Sequence, residues 1–526
     1  MSEENIATYI VKRLEEYGVK YIFGYPGEQV IPIYEALRKS KIKHILMRHE
    51  QAAVHAADAY ARITGNYGVC LATAGPGAMN LIMGVSTAYK DNVPLIVITG
   101  DVPTTVKGQD TFQDIDLNEV FKPVTIRSYN SNTPERVQNN LEEILSLKRQ
   151  GVTGPFHISI PKDIQTKLVN AEHKVIKKPK IKEIPPSYIQ EVVKLIEEAQ
   201  RPVILAGAGI IYSHAEEDLK EFITKSKIPL TTSFGGRGVI SEKDSRNLGM
   251  TGNRGKPLAN YAIENADLII ALGTRLSSRT VKYFSTDEVI QVNTKEEHRN
   301  AKYYYQYGVH EFLRKINKAN LSPTKKEWIN DIQKQKFEIN RTIEETDKIH
   351  PELVVNTILE KLDENKTLVY DAGSTPTYFT ENAVILRPYQ RLFSGGFGPM
   401  GYSLPAAVGA SFARDDDVIL VGVGDGSIQM TIEELAVIER YQLPIVIVVM
   451  DNSLLGIIKQ WQDMANFPNY EVRLDNPDFI KIAQAYNIEA KKVNSIEELS
   501  NTLDVAISNK KPYLIHIEVE DIPIPI

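Results

Sequence analysis

An apolar run, Val418 to Val423, leads into Gly424-Asp425-Gly426. A helix-like segment, Thr431 to Tyr441, follows, then a second apolar run, Ile445 to Met450, and then Asp451-Asn452. The order is strand, acidic glycine turn, helix, strand, amide turn. A right-handed strand–helix–strand unit sets both turns on one edge of a parallel sheet. That edge, beyond the carboxyl ends of the strands, is where α/β sheets bind ligands. A lone Asp-Gly turn is most simply a turn. A second oxygen-bearing turn at the equivalent edge changes the reading, because Asp425 and Asn452 then offer hard oxygen ligands suited to Mg²⁺ on a phosphorylated ligand. Thr431 and Glu434 have the spacing of a capping box opening the helix between.

The same grammar recurs along the chain. At 526 residues it exceeds one core and suggests roughly three domains of about 150 residues. Strands are expected at Tyr21–Phe23, His44–Met47, Gly68–Thr73 and Leu95–Thr99. A second set is Pro202–Ala206, Leu230–Thr232, Leu268–Leu272 and Val289–Val292. A third is Thr367–Tyr370, Val418–Val423, Ile445–Met450 and Tyr513–Glu518. Buried parallel strands read as continuous Val/Ile/Leu runs, so three doubly wound α/β domains with parallel sheets are expected, at 1–165, 187–320 and 351–526. Charged stretches at Thr166–Pro186, with its lysine run from Lys174, and at Ser322–Pro351 read as connectors, the second as a solvated surface helix.

With a net charge of −6 there is no electrostatic case for nucleic acid or a membrane surface. No apolar run approaches the ~20 residues of a membrane span. The first residues read as an amphipathic helix and not a signal peptide. A single cysteine, Cys70 in a strand-like run, forms no internal disulfide, fits a reducing cytoplasm and reads as core packing.

Three further segments have the composition of sites. Arg48-His49-Glu50-Gln51 follows a strand and opens a small-residue helix, where a carboxylate is favoured. Thr73-Ala-Gly-Pro-Gly-Ala-Met-Asn80 is a glycine turn between strand and helix, able to form a backbone nest. Ser394-Gly-Gly-Phe-Gly-Pro-Met-Gly-Tyr402 lets the backbone approach a flat ligand, with Met400 as an adaptable wedge. Gly207-Ala-Gly209 is half of a dinucleotide fingerprint and weak alone.

Together these segments resemble the thiamine-diphosphate enzymes of the acetohydroxyacid (acetolactate) synthase type over nearly the whole chain. The resemblance implies a pyrimidine-binding first domain, a Rossmann-like central domain and a diphosphate- and Mg²⁺-binding third domain. It implies metal ligation by Asp425, Asn452 and the main-chain oxygen of Leu454, with Gly424, Gly426, Ser427, Ser374, Thr375 and Asn80 at the cofactor. Glu50 matches the family's glutamate on the pyrimidine ring, and Gly398 and Met400 match the residues that hold that ring bent. Gln113 and Lys162 match active-site positions. Phe112, Arg279 and Trp461 match the substrate pocket, a guanidinium suiting a second keto acid's carboxylate. In the family Glu50 and the Asp425 motif come from different chains, so a homodimer or homotetramer is implied, and a small regulatory subunit is admitted.

The implied activity is decarboxylation of pyruvate on thiamine diphosphate and transfer of the hydroxyethyl unit to a second 2-keto acid, as in branched-chain amino acid biosynthesis. The chain lacks the His-His pair of related decarboxylases. It departs from the family at Glu28 and Gln29, where Gly-Ala is usual near the donor, and at Asn253, Ser277 and Ser278. Asn293 and Val152 replace residues that hold FAD, leaving Gly207, Gly209 and Arg275 of that site. Another thiamine-diphosphate decarboxylase or carboligase, motivated by Glu28-Gln29, and a non-catalytic cofactor-binding subunit are the alternatives.

Overall fold

The computed structural model describes residues 3–149, 151–170, 183–294, 300–337, 348–374 and 377–524. The lysine run from Lys174 and Thr375 lie outside them. The chain divides into two compact units, one of Met1–Pro179, Thr346–Phe379 and Leu392–Ile526, the other of Lys180–Glu345 and Thr380–Arg391.

The first unit carries two six-stranded sheets. One is built from β1 (Tyr21–Gly24), β2 (Lys43–Leu46), β3 (Gly68–Ala72), β4 (Leu95–Asp101), β5 (Arg127–Asn130) and β6 (Pro155–Pro161). Its order is β2-β1-β3-β4-β6-β5, parallel throughout. The central strands β4 and β6 are buried at every residue, which is why they read as unbroken apolar runs.

The second unit carries β7 (Pro202–Ala206), β8 (Leu230–Thr232), β9 (Asn247–Met250), β10 (Leu268–Leu272), β11 (Val289–Asn293) and β12 (Tyr303–Gln306). Their order, β9-β8-β7-β10-β11-β12, is the 3-2-1-4-5-6 order of Rossmann sheets. Here the expectation for Ser322–Pro351 is corrected. Within it the helix Lys326–Lys334 buries Trp328 and Ile332 in this unit's core, and the Trp328 indole donates to the Pro202 carbonyl at 3.1 Å. The Lys and Glu residues around it dominate the composition and hide one buried stripe.

The third sheet, again in the first unit, has β13 (Lys366–Tyr370), β14 (Arg391–Leu392), β15 (Val418–Gly424), β16 (Ile445–Asp451), β17 (Glu489–Val493) and β18 (Tyr513–Glu518). It runs β14-β13-β15-β16-β18-β17. All twelve strands expected from apolar runs are present, with ends moved by two residues at most. The start of the first expected connector is also structured, since Leu168–Asn170 pairs antiparallel with Glu3–Asn5.

The first and third domains meet through two helices. The helix Glu50–Thr64 is capped by His49, whose Nδ1 accepts from Gln51 N at 3.1 Å, and stops at Gly65 with φ +66°. Its alanines make it both a strong helix former and a smooth surface. The helix Ser403–Ala413 lies so close that a Cβ on Gly409 would sit 2.0 Å from the Ala56 carbonyl oxygen. The buried Asp58 between them is satisfied by Arg62 and by the Tyr402 hydroxyl at 3.1 Å, as a buried charge requires.

Candidate active site

The carboxyl ends of β1, β2, β3, β4 and β6 gather five segments that the sequence keeps apart. Glu50, half-buried, opens the helix after β2. Asn80 Nδ2 donates to Glu50 Oε2 at 3.0 Å. The turn after β3 is pressed against the same carboxylate, because a Cβ on Gly77 would lie 3.1 Å from Glu50 Oε1. Gly75, at φ +58°, lets this turn fold under the loop after β4, and its Cβ would lie 2.8 Å from Gln113 Cβ. Gln113 Oε1 is buried there without a partner, and a buried orphan acceptor at a sheet edge marks a place for a donor from a ligand. On the far side Gln29 N donates to Thr73 Oγ1 at 3.2 Å, and Lys162 Nζ pairs with Glu28 Oε1 at 3.0 Å. Phe112 stands 78% exposed.

The third sheet presents the other cluster. Asp425 opens the short helix after β15, and Asn452 begins the turn after β16. One amide group bridges the carboxylates at these two strand ends: Asn476 Nδ2 donates to Asp425 Oδ2 at 2.7 Å and to Asp451 Oδ1 at 2.8 Å. Gln429 holds Asn476 in turn, donating to its Oδ1 at 3.0 Å. Burial, with Asp451 beside it, pushes the Asp425 carboxyl up to about 6 against the pull of Asn476. Asp451 is also buried, yet hydrogen bonds from His516 and Ser453 keep it below the usual carboxylate range. A carboxylate made this uncomfortable as an anion gains from a cation.

Asn452 Oδ1 accepts from Leu454 N at 3.2 Å, closing the amide turn. Ser374 joins this turn: a Cβ on Gly456 would lie 2.8 Å from Ser374 Oγ, 3.1 Å from Asn452 Nδ2 and 3.2 Å from Asp521 Oδ1. Met400 Cε would touch a Cβ on Gly426 at 3.3 Å, so the wedge sits over the acidic turn. Ser427 Oγ accepts from Gly401 N at 3.3 Å. Behind it Asp371, fully buried and lifted to about 6 by that burial, is held by Ser403 and Ser427. Gly398 has φ +69°, and neither it nor Gly424 meets an atom within 3.5 Å of an added Cβ. These are the open faces a flat cofactor and its phosphates need. Trp461 lies on the helix Gly456–Met464, half exposed.

Gly207, Gly209, Arg275 and Arg279 lie in the second unit. Cβ atoms on Gly207 and Gly209 would meet the Gly273 backbone at 2.3 and 2.7 Å. Close packing of two turns accounts for both glycines. Arg279 is exposed.

The expected capping box is absent. Thr431 Oγ1 donates to the Gly401 carbonyl at 3.1 Å and makes no cap, and Glu434 turns to the first domain, accepting from Arg48 N and His49 N at 2.9 and 3.1 Å. Asn476, His516 and Asp371, and the true partners of Glu434, escaped the sequence reading because each acts on a partner far away in the chain. Cys70 is fully buried with its thiol pushed far up, as inert packing implies.

The chain is similar to known proteins over nearly its whole length. Residues 4–120 match the thiamine pyrophosphate enzyme N-terminal TPP binding domain, 189–319 the central domain and 371–517 the C-terminal TPP binding domain. The chain is 36% identical to the "Probable acetolactate synthase large subunit" of Methanocaldococcus jannaschii, over 98% of this chain and 92% of the relative. The chain belongs to the acetolactate synthase large-subunit family of thiamine pyrophosphate enzymes. It is also 32% identical to the acetolactate synthase isozyme 2 large subunit of Escherichia coli, over 98% of this chain and 96% of that one. The Cyanidium caldarium large subunit is 33% identical over 96% and 92%. The three-domain α/β architecture is that of the family, and the enzyme depends on thiamine pyrophosphate (thiamine diphosphate). Among the described residues no helix is long and apolar enough to cross a membrane.

Proposed function

We propose that the enzyme decarboxylates pyruvate and transfers the two-carbon unit to a second 2-keto acid. The observation that carries this is the pair of polar clusters at matching edges of the first and third sheets: a carboxylate, Glu50, gripped by Asn80, and an acid–amide pair, Asp425 and Asn452, under Met400. Bound thiamine diphosphate would supply the nucleophilic carbon and the electron sink that decarboxylation of a 2-keto acid requires. Glu50, its carboxylate positioned by Asn80, would hydrogen-bond the cofactor's pyrimidine ring. Asp425, Asn452 and the Leu454 carbonyl would hold Mg²⁺, as oxygen ligands suit that ion. Among the described residues no group of three or more His, Cys, Asp and Glu could hold a metal; the proposed set has one carboxylate and draws on amide and main-chain oxygens.

The site is completed by a second copy of the chain. Large apolar side chains stand exposed beside both clusters, including Met79 and Met83 near Glu50 and Trp461, Met464 and Phe467 beyond the amide turn. Exposed apolar surface of this kind is what an oligomer covers. The relatives' names speak of a large subunit, and a small-subunit partner is proposed here on that basis. In the first unit, Trp461 and Phe112 are the residues proposed to meet the acceptor. The residues at the flavin position do not fit FAD: Gly207 and Gly209 are accounted for by packing, and Asn293, the replacement at that site, donates its Nδ2 to the Thr274 carbonyl at 3.2 Å. No step is assigned to it.

A second reading, a different donor acid, is favoured by one contact, the Glu28–Lys162 pair. It puts a carboxylate on the cation that the family resemblance places in the pocket. Product analysis after incubation with pyruvate, alone and with 2-ketobutyrate, separates the readings. Acetolactate and acetohydroxybutyrate, lost in Glu50→Gln, are expected. Free aldehyde as the main product selects a decarboxylase, and no product with any 2-keto acid rejects both.

A further inference from the structure

Glu434 is fully buried. Its Oε1 accepts two main-chain N–H groups, Arg48 N at 2.9 Å and His49 N at 3.1 Å, and its Oε2 is buried without a partner. A half-satisfied buried carboxyl is costly, on the order of 1–3 kcal/mol for one unpaired group. An apolar side chain of similar size would avoid that cost but leave two backbone N–H groups without an acceptor.

The reason for a carboxyl here lies in the segment it touches. Strand β2 ends at Leu46 and the next helix begins at Glu50. Met47 N still reaches the Gly24 carbonyl at 3.1 Å. Arg48 N and His49 N belong to neither ladder nor helix, and a buried backbone donor must find an acceptor somewhere. Glu434 is that acceptor for both. Seven residues further on, Tyr441 takes a third N–H of the same stretch, Leu46 N, on its hydroxyl at 3.2 Å. The third domain thus holds the first-domain backbone immediately ahead of Glu50, while Asn80 holds the Glu50 carboxylate itself.

We propose that Glu434 is a positioning residue for Glu50, fixing the Arg48–His49 backbone so that the Glu50 carboxylate stands where the cofactor ring will meet it. This rests on the role given to Glu50 above. A misplacement of about 1 Å in such a group costs on the order of 100-fold in rate.

The test uses holoenzyme loaded with thiamine diphosphate and Mg²⁺ and needs no keto acid. The rate of hydrogen–deuterium exchange at the cofactor's C2 carbon reports the Glu50–ring interaction. Amide exchange at Arg48 and His49 in the cofactor-free protein reports the clamp. Glu434→Gln keeps the accepting oxygen, and both rates should stay within about threefold of the native protein. Glu434→Leu should slow C2 exchange by about tenfold or more and speed both amides, with the cofactor's half-saturating concentration within about threefold. If Glu434→Leu fails to fold, Glu434→Asp, too short to reach both N–H groups, takes its place under the same criteria. Normal C2 exchange in Leu or Asp overturns the proposal, and so does a Gln variant as slow as Leu. Glu50→Gln is the control: if it keeps native C2 exchange, the role of Glu50 fails first and takes this proposal with it.

Discussion

The first and third sheets run their strands in one order, 2-1-3-4-6-5 when each is numbered from its own first strand, while the middle sheet runs 3-2-1-4-5-6. In both matched sheets the loops after the second, third and fourth strands carry the candidate residues. In the first these are Glu50, the Gly75–Asn80 turn and Phe112-Gln113. In the third they are Gly398 with Met400, Asp425 and Asn452. One topology therefore presents two kinds of group at the same strand ends, a lone carboxylate in one sheet and an acid–amide pair in the other. The fold sets the position, beside the switch between the first and third strands, and the loop residues set the chemistry. Support differs too. Asp425 is held from within its own domain by Asn476, whereas the Glu50 turn is clamped from the neighbouring domain by Glu434.

That contrast can be broken at each sheet separately. The largest effect is expected from Glu50→Gln, which should lower carboligation on the order of 100-fold or more while leaving the melting temperature near that of the native protein. A loss explained wholly by unfolding would remove the first sheet's claim to the chemistry. Next, Asn476→Ala should weaken Mg²⁺-dependent cofactor binding by about tenfold to 100-fold, the usual range when a ligand's supporting hydrogen bond is lost. Titration calorimetry showing unchanged affinity would detach Asn476 from the site.

Much of this was readable in the chain because buried parallel strands are written as uninterrupted apolar runs, and the acidic and amide turns sit at their ends. What escaped was written in polar residues or in distant partners. Edge strands such as Tyr303–Gln306 and Glu489–Val493 bury too little to show a run. Trp328 is masked by the lysines beside it. Thr431 and Glu434 have the spacing of a capping box, yet the tertiary partner, 386 residues away in the chain, outcompeted the local one. Asn476 and His516 matter through Asp425 and Asp451, and no spacing announces that.

Two smaller effects sharpen the comparison. Glu28→Ala frees Lys162 and should shift the donor's KM by only a few-fold, since a half-exposed ion pair contributes about 1 kcal/mol or less. An unchanged ranking of donor acids would remove Glu28 from specificity. The smallest concerns Glu434, whose pKa burial raises to about 8. An unfolded glutamate titrates near ~4.3, so between these values the folded chain holds a proton the unfolded chain has released. Stability then falls as pH rises through that window and levels off above it. Glu434→Gln lacks this slope, and its melting temperature relative to the native protein should climb by a few degrees from about pH 5 to 8. A constant offset would contradict a buried, protonatable Glu434.

The central claim is that one active site draws Glu50 from one chain and Asp425 from another. Mixing the two inactive variants Glu50→Gln and Asp425→Asn under conditions that exchange subunits tests it directly. Each mixed dimer would then hold one intact site, and random exchange should restore about a quarter of native activity. Activity that stays at the level of the separate variants, although mixed dimers have formed, would place both groups of a site in a single chain and contradict the account.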